Sequence, residues 1–315
     1  MKIMNPIQPL QGIQTTRLGL LVPLFLLAIA SHGLAQTVLF DFGRHDNTNG
    51  STITGALPTN GVVVGSATAI GDTTSYVWNS LGNGNQTQSG AGVSFTGFQD
   101  QTGTSVNWSI GNLSTSLTQA NGFLNGGLKA ITGQATSKDP SSLLGKYAVA
   151  NATGDYWFVD NTGANGAARA GFTLSGLDPS LSYTFTLFGS RNSTTTRYTH
   201  YFLQGANTGY GFLQTSGSNM GTTLGVGTDT GQYDGNDANV LVLSGVNPTA
   251  GGTIALSFLA NGSTTSLAST FATASGNQFG YLNLMEVKAV PEPSALSLFG
   301  AGLAGLWAAR RTRRS

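Results

Sequence analysis

The chain has 315 residues, 14 Lys and Arg against 13 Asp and Glu, three His and no Cys. The absence of cysteine excludes a disulfide framework and a thiol nucleophile. Charged residues make up 9% of the chain, against roughly 25% in ordinary soluble domains. There is no basic stripe of the kind nucleic-acid binding requires, so nucleic acid is not an expected partner.

Residues 1–35 read as a secretory signal peptide, expected to be helical. Lys2 and Arg17 form its positive part, residues 18–30 its apolar part, and Gly33 and Ala35 put small residues at the −3 and −1 positions. This predicts cutting by signal peptidase between Ala35 and Gln36. The body that follows has a different charge from the whole chain. Residues 36–290 hold eight cations (Arg44, Lys129, Lys138, Lys146, Arg169, Arg191, Arg197 and Lys288) against twelve acids, so the body is near −4 and the remaining six cations sit in the two ends.

In the body, short β-branched and aromatic runs alternate with Gly, Asn and Pro, a pattern of strands rather than helices. Strands are expected at 37–42, 62–64, 75–78, 92–95, 106–110, 147–150, 156–159, 169–174, 182–188, 197–203, 210–213, 240–244, 253–259 and 279–287. The clearest is 182–188, where Tyr183, Phe185 and Leu187 alternate with Thr184 and Thr186. The Gly176-Leu177-Asp178-Pro179 stretch reads as a corner between two strands, and Ser244-Gly245-Val246-Asn247-Pro248 echoes it. So many short strands at regular spacing predict an all-β antiparallel sandwich, jelly-roll-like, with its first and last strands paired. About 255 residues are enough to bury a core of that kind.

The catalytic inventory is thin. Arg44-His45-Asp46 puts an imidazole beside a carboxylate, but no serine has a nucleophile-elbow context. The body has one glutamate, Glu286, whereas glycosidases need two facing carboxylates. Two histidines, His45 and His200, are too few for a zinc site made of histidines. The expectation is a protein without catalytic activity. The densest cluster of oxygen ligands is Asp229, Asp234, Asn236 and Asp237 in a glycine-rich stretch. Its spacing suits Ca²⁺, and the competing reading is a solvated turn in which Asp and Asn bond their own backbone. Trp157 and Tyr233 sit beside turn signals and are the expected surface aromatics for stacking on sugar.

The last 26 residues have a separate organisation. Val290-Pro291-Glu292-Pro293 leads into an apolar run, residues 295–309, and then Arg310-Arg311-Thr312-Arg313-Arg314. Two prolines should keep the tripeptide out of helices and sheet ladders. The apolar run is short for a span and carries Gly300, Gly302 and Gly305, which suits a transient inner-membrane helix, and the arginines would hold its end in the cytoplasm. A plain membrane anchor is the competing reading. The tripeptide, run and arginines together resemble the PEP-CTERM sorting signal of Gram-negative bacteria. That resemblance implies recognition near Val290–Pro293 by the membrane protease-transpeptidase exosortase, and delivery to the outer envelope or exopolysaccharide. The strand framing of the body also resembles galactose-binding-like modules, at the level of fold alone. The reading that follows is an exported structural or glycan-binding sandwich. The alternatives are a secreted polysaccharide hydrolase or esterase and a self-assembling surface protein.

Overall fold

The structure is a computed structural model. It describes residues 36–43, 61–65, 75–82, 94–113, 117–119, 142–149, 152–154, 156–160, 169–221, 233–261 and 279–291. The signal segment and nearly all of the C-terminal tail, with both expected helices, lie outside these. No helix among the described residues is long and apolar enough to cross a membrane.

Residues Ala35–Glu292 form one compact unit. Its strands in chain order are β1 (Thr37–Asp41), β2 (Gly61–Gly65), β3 (Trp78–Gly82), β4 (Ser109–Gly111), β5 (Leu117–Gln119), β6 (Trp157–Asp160), β7 (Arg169–Ser175), β8 (Leu181–Phe188), β9 (Arg197–Gln204), β10 (Thr208–Ser216), β11 (Leu241–Val246), β12 (Thr253–Asn261), β13 (Phe279–Leu282) and β14 (Leu284–Pro291). One sheet runs β11-β8-β14-β1-β3-β2, the other β10-β9-β12-β7-β4, and a small third sheet runs β13-β6-β5. From β7 onward the chain repeatedly crosses from one large sheet to the other, giving a jelly-roll-like sandwich. One pairing departs from the antiparallel expectation: β1 and β3 run parallel.

Alternation explains the layers. Along β8, Tyr183, Phe185 and Leu187 face inward and are buried, as a period of two requires. Between the large sheets, Phe42 stacks on Phe172 at 5.5 Å, and Trp157 meets Phe42 edge-on at 4.9 Å. Each such ring pair contributes roughly 0.5–1.5 kcal/mol beyond the area it buries.

The corner between β7 and β8 falls where the Gly-Leu-Asp-Pro stretch predicted. Gly176 has φ +81, and a Cβ there would stand 2.1 Å from the Asn107 carbonyl oxygen, so only glycine fits. Asp178 Oδ1 accepts from the Ser180 amide at 2.8 Å and its hydroxyl at 2.7 Å, and the Asp178 amide donates to the Tyr183 hydroxyl at 2.8 Å. The echo at Ser244-Gly245 is a bulge within β11, where the register with β8 shifts between Leu243 and Val246. The turn itself comes later, with Thr249 and Gly252 before β12.

Five strand expectations need correction. The 75–78 strand begins only at Trp78 and runs on to Gly82. Of 92–95, the described part makes a single bridge, Phe95 to Ile110. The strand at 106–110 starts only at Ser109. Residues 147–149 form no strand: Tyr147 closes a 3₁₀ turn, Ser142–Tyr147, kinked at Gly145. Its backbone is used locally, Ala148 donating to Gly145 and Val149 to Tyr147.

The expected single strand 279–287 is two strands in different sheets, divided at Asn283. Asn283 is wholly buried. Its amide donates to Phe188 and its carbonyl accepts from Phe42. Its side-chain oxygen accepts from the Ser190 amide at 2.8 Å, while its side-chain nitrogen donates to the Thr153 carbonyl at 3.2 Å. One asparagine thus satisfies the backbone at the point where the chain changes sheets.

Candidate functional site

The first candidate is the processing junction. Strand β14 lies between β1 and β8, with Thr37 opposite Lys288 and Val290 opposite Ser182. The Ala289 amide donates to the Gln36 carbonyl at 2.8 Å. The start of the body and the start of the sorting stretch are therefore hydrogen-bonded neighbours. The ladder continues past the expected end at residue 287 and one residue into the Pro-Glu-Pro tripeptide. Pro291 pairs with Leu181 and closes β14, correcting the view that both prolines stand outside the sheet. A proline is tolerated at a strand end because the missing donor is not needed there. Ala35, Glu292, Pro293, Arg310, Arg311, Arg313 and Arg314 lie outside the described residues.

The acidic loop uses its oxygens internally. Asp234 Oδ1 accepts from the Asn219 amide at 2.7 Å. Asn236 is wholly buried. Its oxygen accepts from the Asn239 amide at 3.0 Å, and its nitrogen donates to the carbonyls of Asn239 at 2.8 Å and Gly189 at 3.1 Å. Asp237 is buried as well. Local backbone bonding of this kind is the turn chemistry weighed against Ca²⁺. Among the described residues no group of three His, Cys, Asp or Glu is placed to hold a metal. Asp229 lies outside them.

Trp157 and Tyr233 are not surface aromatics. Trp157 is 0% exposed and Tyr233 2%. Trp157 sits between the sheets against Phe42, Phe95 and Phe172. Tyr233 packs with Leu39, Trp78, Phe188 and Leu284, and burial pushes its phenol far up. Nearness to turn signals misled because large rings near strand ends fill the mouths of the sandwich.

The exposed aromatics lie elsewhere, on the hairpin of β9 and β10. Tyr210 pairs with Phe202, Phe212 with His200, and Gln214 with Tyr198. Tyr210 and Phe212 are 37% and 38% exposed. Ring centroids are 4.7 Å apart for Phe202–Tyr210, 5.3 Å for His200–Phe212 and 6.1 Å for Tyr198–Phe212. His200 Nδ1 and the Tyr210 hydroxyl share a hydrogen bond of 2.8 Å. A signal for this face exists in the sequence, Gly209-Tyr210-Gly211-Phe212. A Cβ on Gly211 would stand 2.6 Å from Leu241, and one on Gly209 3.1 Å from Val246. The glycines let β10 close on β11, and the alternate aromatics are turned the other way.

The acid–base candidates are engaged or outside view. Glu286, in mid-β14, forms an ion pair with Lys146 from the 3₁₀ turn. Next to it, burial and the Glu286 charge push the Tyr147 phenol above its ordinary range. Arg44, His45 and Asp46 lie outside the described residues.

Comparison with known proteins bears on the tail. A family model described as the PEP-CTERM protein-sorting motif matches residues 289–314. The sandwich therefore ends in the sorting motif of exported envelope proteins, and β14 leads directly into it. The chain carries a PEP-CTERM motif, which implies processing by exosortase and export to the cell envelope or surface. No curated protein matches the chain.

Proposed function

We propose that this protein is delivered through the exosortase route to the outer envelope or its polysaccharide matrix. There its body works as a non-catalytic, glycan-binding sandwich. Signal peptidase removes residues 1–35, and the tail anchors the chain transiently in the inner membrane before exosortase acts. The observation supporting the glycan reading is the face of Tyr198, Phe202, Tyr210 and Phe212 on β9 and β10, with His200 buried among them. Aromatic rings take the apolar faces of sugars, and neighbouring amide and hydroxyl groups take their hydroxyls.

The test is sedimentation of the exported protein with an exopolysaccharide fraction from its host. The expected result is co-sedimentation, with no release of reducing ends or acetate, and weaker retention of a Tyr210→Ala, Phe212→Ala variant. Release of sugar or acetate would establish the hydrolase or esterase reading instead. A matrix role by self-assembly has one specific support. Strand β10 is the edge of its sheet and holds no charged residue from Thr208 to Ser216, and edges without charge invite further pairing. Concentration-dependent light scattering by the exported protein would favour that reading.

A further inference from the structure

We propose that Arg191 and Arg197 form a binding site for a carboxylate carried on a sugar, so that the protein takes acidic rather than neutral polysaccharide. The inference rests on the glycan reading above for its ligand class, and on a different part of the molecule for its evidence.

Arg191 lies in the loop after β8, and Arg197 opens β9. Arg197 is 8% exposed, and its Nη1 donates to the Tyr281 hydroxyl at 2.6 Å. Arg191 lies over the same tyrosine, its guanidinium carbon 5.8 Å from the centre of the Tyr281 ring, and it interacts electrostatically with the Tyr281 and Tyr156 phenols. Two guanidinium groups therefore gather around one tyrosine. They also share an aromatic ring: the guanidinium carbons lie 4.8 Å (Arg197) and 5.6 Å (Arg191) from the centre of Phe279.

Among the described residues this cluster holds two cations and no counter-charge. Among the described residues neither arginine has a carboxylate partner. Both Nε atoms are buried and have no hydrogen-bond partner. Burial pushes the phenols of Tyr156 and Tyr281 up, so both stay neutral at ordinary pH and compensate no charge. A buried cation without a counter-charge is costly, and two side by side add repulsion. An anion between them removes both costs.

The chemistry of the cluster selects the anion. Guanidinium forks bind carboxylates through two parallel hydrogen bonds. Arg191, Phe158 and Phe279 are each only half-buried, and residues 194–196 beside them are exposed, so the cluster reaches solvent. The rings of Phe158 and Phe279 flank the arginines and give the apolar face of a pyranose a place to rest. The body around it is near −4, so diffuse attraction does not gather anions here. Capture has to come from the local pair.

The experiment is calorimetric titration of the exported protein with tetragalacturonate, with its methyl ester, and with sodium sulfate. Tetragalacturonate should bind, and Arg191→Gln should weaken it at least tenfold with a melting temperature that does not fall. The methyl ester should bind more weakly and equally to both proteins. Arg197→Lys, which keeps the buried charge, should also weaken tetragalacturonate while leaving the fold intact. The proposal is overturned if the ester binds as tightly as the acid, if Arg191→Gln changes nothing, or if sulfate binds while tetragalacturonate does not. Its failure is separable from failure of the glycan reading. Loss of acid preference with retained polysaccharide binding through Tyr210 and Phe212 sinks only this site. Arg191-dependent tetragalacturonate binding without any binding to the host polymer sinks the other.

Discussion

The amide of Ala289 donates to the carbonyl of Gln36 at 2.8 Å, joining the last strand of the sandwich to its first at the point where the body begins and the sorting stretch takes over. β14 lies between β1 and β8, so the peptide bonds upstream of Val290 are held in a ladder on both sides. A protease needs an extended, accessible segment, and up to Val290 the backbone is engaged in these ladders. The mature C-terminus, read by intact-mass spectrometry of exported protein, is expected at or beyond Pro291. A C-terminus within residues 284–289 would show that β14 opens before cleavage. Replacing Pro291 and Glu292 with alanine should lower the cleaved fraction in a host with an exosortase. An unchanged fraction would mean that the tail only anchors.

Two glycines separate backbone strain from steric clash. Gly97 and Gly176 have φ values of +80 and +81, but a Cβ at Gly97 meets nothing within 4 Å, whereas one at Gly176 meets Asn107 at 2.1 Å. Gly97→Ala should cost roughly 1–2 kcal/mol, the price of a left-handed residue. Gly176→Ala should cost about 3 kcal/mol or more, because a backbone atom must also move. At about 2–4 °C per kcal/mol for a body of this size, thermal denaturation distinguishes them. Equal shifts would mean that the β7–β8 corner gives way freely.

Trp157 and Phe212 should behave as opposites. Trp157→Ala removes the ring that three other aromatics pack against and should cost about 3–5 kcal/mol. Its effect on polysaccharide binding should follow only from the lost fold. Phe212→Ala, at a half-open position, should cost on the order of 1 kcal/mol or less yet weaken retention on polysaccharide. If Phe212→Ala leaves binding intact, the β9–β10 face is not the contact surface.

The pH dependence has a sign that the turns dictate. At Asp178 the Ser180 hydroxyl and amide hold the carboxyl below its ordinary value. At Asp100 desolvation is the largest single influence and raises the value, but hydrogen bonds from Thr102, Thr104 and Gly103 together outweigh it. Both carboxyls are thus depressed in the folded state. Their stabilisation is present above the unfolded value, near pH 4, and is lost as pH falls through the lower folded values. The melting temperature should fall below about pH 4, and an Asp100→Asn, Asp178→Asn variant should fall less steeply. A variant with the same acid slope would assign the loss to other carboxylates.

Local chemistry made much of the fold legible in the sequence. Alternation marked β8 and its buried Tyr183, Phe185 and Leu187, and Gly176-Leu177-Asp178-Pro179 marked its corner. Where a backbone is satisfied by neighbours distant in sequence, the reading failed. Residues 279–287 look like one strand because both halves are apolar. The division at Asn283 comes from bonds to Phe42, Thr153, Phe188 and Ser190, which no local window contains. The Tyr147 run is β-like in composition, but Gly145 turns it into a 3₁₀ end.

The candidate sites divide in the same way. The sequence by itself determined the address, because the sorting motif is contiguous and is defined by residue order: two prolines, an apolar run and terminal arginines. It also determined the all-β class, through periodicity and turn residues. Only the tertiary structure decided which aromatics are open, since Trp157 and Tyr210 differ in what packs on them. It set the register that joins Gln36 to Ala289, and it alone brought Arg191 and Arg197 together around Tyr281. Burial and charge pairing are set by contacts across sheets, between residues that are far apart along the chain.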